Sequence, residues 1–223
     1  MVSNRFVDRA TVSVAEAQLA RVAADGSARH PYLSALIETT GRHAGRDIAD
    51  AVHLLCNVHG RHPGLIQLAL AQCPEGPAGE WLGHAADAFE RERAYVLRLT
   101  AAVGPTPSTP GAAETEATLT AQRHALEILA GSERCGCALG AATALVGDWW
   151  PLRRLLDHAA ARMGVTVPPP SLPDEASVVA VINAAADAPT ATRALAFGAE
   201  QLLLQHRGLL DLLEARAAAR GDN

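Results

Sequence analysis

The sequence contains no lysine, and arginine supplies all 19 of its permanently cationic side chains. We attribute this to a coding bias toward GC-rich codons, because the chain is also crowded with alanine. Without lysine there is no amine to form a Schiff base with pyridoxal phosphate or a carbonyl substrate, and none to complete a phosphate-binding P-loop. The absence excludes both of these enzyme classes.

Aromatic residues are scarce, at 4%, and positive charge is not in excess, since the net charge is -5 and the pI is near 6.0. The sequence therefore predicts no nucleic-acid partner and no membrane partner, because neither surface attracts an acidic protein.

The apolar run 135–146 is far shorter than the ~20 residues that span a bilayer. Residues 1–25 lack the apolar stretch of a secretion signal, so we expect a cytoplasmic protein.

Cysteine is also rare, and the four cysteines do not form the pattern of a disulfide framework. They are Cys56, Cys73, Cys135 and Cys137. In a reducing compartment we expect buried free thiols. The Cys135-Gly136-Cys137 string has no second pair of ligands nearby, so tight helix packing is favoured over a metal site.

What the sequence has in abundance is alanine and leucine, the two strongest helix formers, within a hydrophobic content of 49%. We predict an all-α fold, a multi-helix bundle with four or five long core helices, additional short helices and two proline-rich crossover loops. The loops are residues 104–111 and 165–173. We expect a single domain over residues 1–223, with 1–104 and 112–223 as possible helical-hairpin halves.

Local signals place the helix ends. Ser13 and Glu16 have the spacing of a capping box, and Asp174 is a predicted N-cap. Long helices are predicted over residues 44–59, 80–103, 114–130, 133–146, 149–163 and 190–220. Asp148 is interpreted as the N-cap of the helix that begins at Trp149.

No residue string matches a strong catalytic signature, so candidate sites must be sought among polar residues on apolar helix faces. Stepping about 100° per residue places three such residues on three long helices: His59, Arg93 and His206. Glu92 lies at the margin of the face that carries Arg93. Because inward residues of facing helices meet in a bundle, we predict a ligand-binding site of His59, Arg93, His206 and Glu92, with His59 and His206 as candidate metal ligands.

The alternative for each residue is structural. A lone inward histidine is more often a core residue hydrogen-bonded to a carbonyl group. Arg93 is more often one half of a salt bridge, with Glu92 or Glu200 as its partner. Three pairs at i,i+3 spacing lie opposite the apolar stripes and are expected to be solvated: Asp50 with His53, His84 with Asp87, and His124 with Glu127.

The long helices, the proline-rich crossovers and the Gly/Ala-rich segment 135–147 together resemble ferritin-like and haem-oxygenase-like bundles. That resemblance implies iron or a haem-like ligand, although the repeated Glu and Glu-x-x-His ligands of ferritin-like proteins are not present in order. The strings His59-Gly60-Arg61-His62-Pro63-Gly64 and Gly147-Asp148-Trp149-Trp150-Pro151 are similar to those of an uncharacterised bacterial family.

Two classes of function remain open, and the sequence does not decide whether the protein is an enzyme. The first is a structural or interaction protein, homodimeric and without a cofactor, which the absence of motifs favours slightly. The second is a bundle that binds a metal or a small molecule, such as an oxidoreductase, through inward histidine and arginine residues. They differ in one geometric expectation. In the second class His59, Arg93 and His206 lie within reach of one another around a pocket, whereas in the first they are scattered or paired with carboxylates.

Overall fold

The computed structural model describes residues 12–221, which form nine α-helices and no strand, together with a short 3-10 turn at Ser27–Arg29. The helices are α1 Val14–Asp25, α2 Pro31–Glu38, α3 Ala44–His59, α4 Leu65–Gln72, α5 Gly76–Ala102, α6 Ala112–Ala130, α7 Cys135–Met163, α8 Glu175–Ala185 and α9 Pro189–Ala219. The predicted all-α multi-helix fold is confirmed. No helix among the described residues is long and apolar enough to cross a membrane.

Helix ends follow the local signals in most places. Ser13 and Glu16 form the predicted capping box of α1, and the Asp174 side chain accepts a hydrogen bond from Ser177 N–H at the start of α8. The prediction that Asp148 is an N-cap is wrong, because Asp148 lies inside α7, a helix of 29 residues. Pro151 lies inside this helix. It removes one backbone hydrogen bond, but burial on both sides of it keeps the segment helical.

Helix α7 lies at the centre of the molecule and packs against α9, α5, α6 and α4, with α1, α2 and α8 at its margins. Its side chains from Leu139 to Val146 are almost entirely buried, as are Trp149 and Leu152. One continuous apolar cluster takes residues from before and after the 104–111 crossover. The two predicted halves therefore share one core.

Two glycines allow α7 and α9 to run side by side in the same direction. A methyl group at Gly198 would lie 2.0 Å from Cys137 O, and one at Gly140 would lie 2.1 Å from Leu195 O. Contacts this short are possible only when the residue has no side chain. The Gly/Ala-rich segment 135–147 is therefore explained by helix packing. The parallel register continues along both helices and brings His206 next to Asp148.

The expectation of free thiols is wrong for two of the four cysteines. Cys73 and Cys135 form a disulfide, with their Cα atoms 5.5 Å apart, whereas Cys56 and Cys137 are free. The two bonded residues are 62 positions apart in sequence. Only the packing of the end of α4 against the start of α7 makes them neighbours, and a sequence pattern does not carry that information.

The expectation of a solvated surface is also wrong for Asp50. Its carboxylate is fully buried and binds Arg216 through two hydrogen bonds of 2.8 and 2.9 Å, with Arg220 at 2.6 Å. Helix α3 packs against α5 on one side and α9 on another, so both of its faces are buried. The other two i,i+3 pairs, at residues 84 and 87 and at residues 124 and 127, are exposed as expected.

Candidate functional site

The structure brings together two of the predicted site residues, His59 and His206. His59 is the last residue of α3 and His206 lies in the middle of α9. Their Nε2 atoms are 3.1 Å apart, and their ring planes are nearly perpendicular, at 88°. The residues are 6% and 1% exposed, so the contact is shielded from solvent.

His206 is oriented by a buried carboxylate. Its Nδ1 lies 2.7 Å from Asp148 Oδ2, and Asp148 is only 1% exposed. Asp148 also accepts hydrogen bonds from Ser27 N–H, at 2.7 Å, and from the Ser27 hydroxyl, at 2.6 Å. Gly26 makes this approach possible, since a methyl group there would lie 2.4 Å from Asp148 Oδ1. Asp148, His206 and His59 form a continuous chain of contacts, which we name the relay.

The hydrogen-bond pattern restricts the protons of the relay. Asp148 accepts two hydrogen bonds from Ser27, and as a carboxylate it offers Oδ2 as the acceptor for its third contact, with His206 Nδ1. His206 must then carry a hydrogen on Nδ1, which leaves its Nε2 facing His59. A single hydrogen lies between the two Nε2 atoms, carried either by His59 or by a protonated His206. In the second case His59 accepts at Nε2 and carries its own hydrogen on Nδ1.

His59 lies among aromatic rings. The edge of its imidazole packs against Trp149, with ring centroids 5.4 Å apart, and Phe89 lies at 6.3 Å. Burial lowers the pKa of His59 well below its usual value of 6.5, and the nearby His206 lowers the pKa further. The imidazole is therefore neutral at physiological pH, a form that can give or accept a proton.

His59 is the member of the relay that lines a cleft. The cleft lies beneath the turn between α3 and α4 and has a volume of about 30 Å³. Its walls include Pro63 and Phe89, together with Arg123, Leu126 and Glu127 from α6. A volume of this size holds roughly two water-sized groups. His59 thus connects a small open site to the buried Asp148.

Comparison with known families gives a match over residues 22–221, a span that includes every residue of the relay. The chain belongs to a family of unknown function, DUF6975. No curated protein and no solved structure matches the chain. The predicted membership of an uncharacterised family is confirmed, and the likeness to ferritin-like and haem-oxygenase-like bundles stays a prediction.

In this DUF6975 chain, Glu92 lies beside the relay without joining it. Its carboxylate is buried and accepts hydrogen bonds from Arg153 Nη1, at 2.5 Å, and from Trp149 Nε1, at 3.0 Å. The same Trp149 ring packs against His59. Glu92 therefore fixes a wall of the site.

Arg93 forms its hydrogen bonds with Glu90 and Gly60 and with neither of the two histidines. Its guanidinium binds Glu90, one turn earlier on the same helix, and Nη1 donates to Gly60 O at 3.4 Å. Its predicted partners bind other arginines, since Glu92 pairs with Arg153 and Glu200 with Arg21. The buried arginine that lines the cleft is Arg123. It follows Leu119 by four residues and precedes Leu126 by three, which puts it on the apolar face of α6. The search for polar residues on apolar helix faces, applied to α6, would therefore have selected it.

A metal site would need more ligands than the two histidines supply. Zinc sites in proteins generally use three or four side chains, and among residues 12–221 no third His, Cys, Asp or Glu lies close enough to complete one at this pair.

Another group does bring His30, Asp211 and Glu214 together. There His30 Nδ1 accepts from Tyr32 N–H and Nε2 faces Asp211, so the hydrogen of the neutral ring occupies the nitrogen that a metal would need.

Larger cavities lie elsewhere. One, of about 860 Å³, is open to solvent between the first turns of α7 and α9, where exposed Arg134, Arg193 and Phe197 line it. A second, about 530 Å³, lies beside the 104–111 loop and reaches Arg216. Arg216 is already satisfied there by Asp50 and two threonines. Among these cavities, the small cleft at His59 is the one whose lining includes a member of the relay.

Proposed function

We propose that this chain binds a small polar ligand in the cleft at His59 and that binding is coupled to proton transfer through the relay. The observation that carries the proposal is the contact chain from the Asp148 carboxylate through His206 to His59, with distances of 2.7 and 3.1 Å. A carboxylate that fixes the tautomer of one histidine is a recurrent arrangement for holding a proton. A second histidine extends this chain to the cleft.

The charges support this assignment. Burying an ionised carboxylate is costly unless a cation balances it. When His206 carries hydrogens on both ring nitrogens, its positive charge balances Asp148 and disfavours a proton on the adjacent His59. Because the His206 contact uses Nε2 of His59, Nδ1 is the nitrogen that remains for a ligand. If His206 Nε2 gives its hydrogen to His59 Nε2 while His59 Nδ1 gives its hydrogen to the ligand, His59 changes from a donor to an acceptor toward the ligand.

Calorimetry can test this proposal with acetate, acetamide and ethylamine as probes, each titrated in two buffers of different ionisation enthalpy. We expect at least one probe to bind with a heat that depends on the buffer, because protons are exchanged. The dependence should disappear in His59→Gln and Asp148→Asn and persist in His84→Gln, which alters an exposed histidine. Binding to His59→Gln with unchanged proton exchange would contradict the proposal.

Metal binding by His59 and His206 stays a prediction, as does an iron or haem-like cofactor. Elemental analysis and an absorption spectrum of untagged protein test both. Stoichiometric metal that is lost in His206→Phe would establish the histidine pair as a metal site. If the protein is metal-free and colourless, the positive charge that balances Asp148 in the relay is a proton and not a metal ion.

The structural or interaction role, the homo-oligomer and the cytoplasmic location also stay predictions. Light scattering during gel filtration measures the oligomer directly. The disulfide between Cys73 and Cys135 weighs against the location, because such bonds persist mainly in oxidising compartments. Titration of thiols in unfolded protein from its natural compartment should give two free thiols if the bond forms there and four if it does not.

A further inference from the structure

Arg123 is a buried cation whose close partners are neutral. Its side chain is only 10% exposed. Nη1 donates to Asn57 Oδ1, and Nη2 donates to Thr120 Oγ1 at 2.8 Å. Glu116 supplies the carboxylate within 4 Å, but the distance is 3.6 Å and that side chain is 62% exposed. Solvent screening makes such a contact weak.

The other buried arginines of the described chain are paired differently. Arg153 has Glu92 at 2.5 Å, and Arg216 has Asp50 at 2.8 Å. Arg220 has Asp47 at 2.7 Å and Asp50 at 2.6 Å. Each of these guanidinium groups therefore holds a close carboxylate. Arg123 differs from them, and it is the one that lines the cleft with His59.

We propose that Arg123 binds the carboxylate of a small anionic ligand in the cleft, where His59 contacts the same group. This inference rests on the proposed function and names its ligand class. A buried guanidinium requires an anion, and its planar fork matches a carboxylate. The cleft volume of about 30 Å³ fits the two oxygens of one carboxylate group.

The surroundings of the cleft are consistent with an anion. Phe89, Leu126 and Pro63 provide apolar walls that reduce screening. Arg61 adds a second positive charge at the exposed rim. Glu127 also lines the cleft, but its side chain is largely exposed and lies 4.0 Å from His124. When His206 carries the relay proton, the His59 Nδ1 hydrogen can donate to the bound carboxylate.

Formate and acetate are the probes for this inference. Binding is followed by the ring nitrogen resonances of histidine in isotope-labelled, full-length protein, with acetamide as the neutral analogue and sodium chloride at matched ionic strength. We expect formate to shift His59 and to bind at least about 10-fold more weakly to Arg123→Gln, the loss expected for a charge-assisted contact. Arg154→Gln removes an exposed arginine on α7 and should bind formate as the unchanged protein does.

A second variant keeps Arg123 in place, in case its removal prevents folding. Asn57→Asp is nearly isosteric and puts a carboxylate at the atom that already accepts from Arg123 Nη1. We expect this internal anion to stabilise the fold and to abolish formate binding. Unchanged formate affinity in Asn57→Asp would show that Arg123 has only a structural role, and the inference would be wrong.

The outcomes separate this inference from the proposed function. If formate shifts His59 equally in Arg123→Gln and Arg154→Gln, the ligand site stands and the role of Arg123 fails. If acetamide binds at His59 and carboxylates do not, the ligand class is wrong while the site stands. If chloride displaces formate with equal affinity, the site takes simple anions and the carboxylate assignment is overturned. If no probe shifts His59, both proposals fail.

Discussion

His59 links protonation to folding, because its neutral form is favoured by burial and by the adjacent His206. A histidine whose pKa is lowered on folding binds more protons in the unfolded chain. Its contribution to stability is therefore complete above pH 6.5, the usual pKa of histidine, and is lost as the pH falls from there to the lowered value. We expect the free energy of unfolding to fall in that window with a slope of up to about 1.4 kcal/mol per pH unit.

Urea unfolding at a series of pH values measures this effect, and His59→Gln should have the flatter profile because it lacks the group. His84→Gln serves as the control. Since His84 is exposed, its replacement should leave the slope as it is. Equal slopes in His59→Gln and the unchanged protein would mean that His59 titrates alike in both states.

Asp148 is a buried carboxylate that faces hydrogen-bond partners from Ser27 and His206. In Asp148→Asn, an amide NH2 or a weaker acceptor must face donors from Ser27 and His206. We expect a loss of about 3 to 5 kcal/mol in the free energy of unfolding, the usual cost of breaking a buried charged pair. Chemical denaturation gives the value, and Asp87→Asn, at an exposed position on α5, should change it by less than about 0.5 kcal/mol.

At the scale of the element, the approach of α7 and α9 depends on glycine. Gly198→Ala places a methyl group against the Cys137 carbonyl oxygen, so the helices must move apart. We expect a destabilisation of about 1 to 3 kcal/mol, together with altered His206 ring resonances, because the same register aligns His206 with Asp148. Gly83→Ala is the matched control, since it adds a methyl group in open space on α5 and should stabilise by about 0.5 to 1 kcal/mol.

Element ends were largely predictable, because they depend on neighbours in sequence. Ser13 with Glu16, Asp174 and the glycines that follow helices act within one turn. Asp148 was the exception. Its position before Trp149 and Pro151 has the local features of a helix start, and only the burial of α7 on both sides of Pro151 makes the helix continuous.

At the scale of the whole molecule, the Cys73–Cys135 disulfide closes a loop across 62 positions. Chain-entropy reasoning assigns such a loop about 4 kcal/mol of stabilisation. We expect the double variant Cys73→Ser with Cys135→Ser to lose up to that amount of free energy of unfolding, measured by chemical denaturation. The control is Cys56→Ser, which replaces a free thiol and should respond to reductant as the unchanged protein does. Equal stability of oxidised and reduced protein would contradict a stabilising role for the bond.

We also propose that residues 1–223 form one domain. The core is continuous across the 104–111 crossover. Arg216 of α9 and Arg220, which caps that helix, bind Asp50 of α3 and Thr109 of the loop. Calorimetry should therefore give a single transition whose calorimetric and van't Hoff enthalpies agree. Two resolved transitions would mean that the hairpin halves unfold independently.

The sequence by itself determined the helical class, most helix ends and the inward positions of His59 and His206, because each depends on composition or on spacing within one helix. It also excluded lysine chemistry outright. The tertiary structure decided which inward residues meet. Asp148 joins His206, Arg123 and not Arg93 lines the cleft with His59, and Cys73 reaches Cys135 only through the packing of α4, α6, α7 and α9. Periodicity gives the face of a residue on its own helix, whereas the rotation and register of the helix opposite are set by how glycines and buried side chains pack.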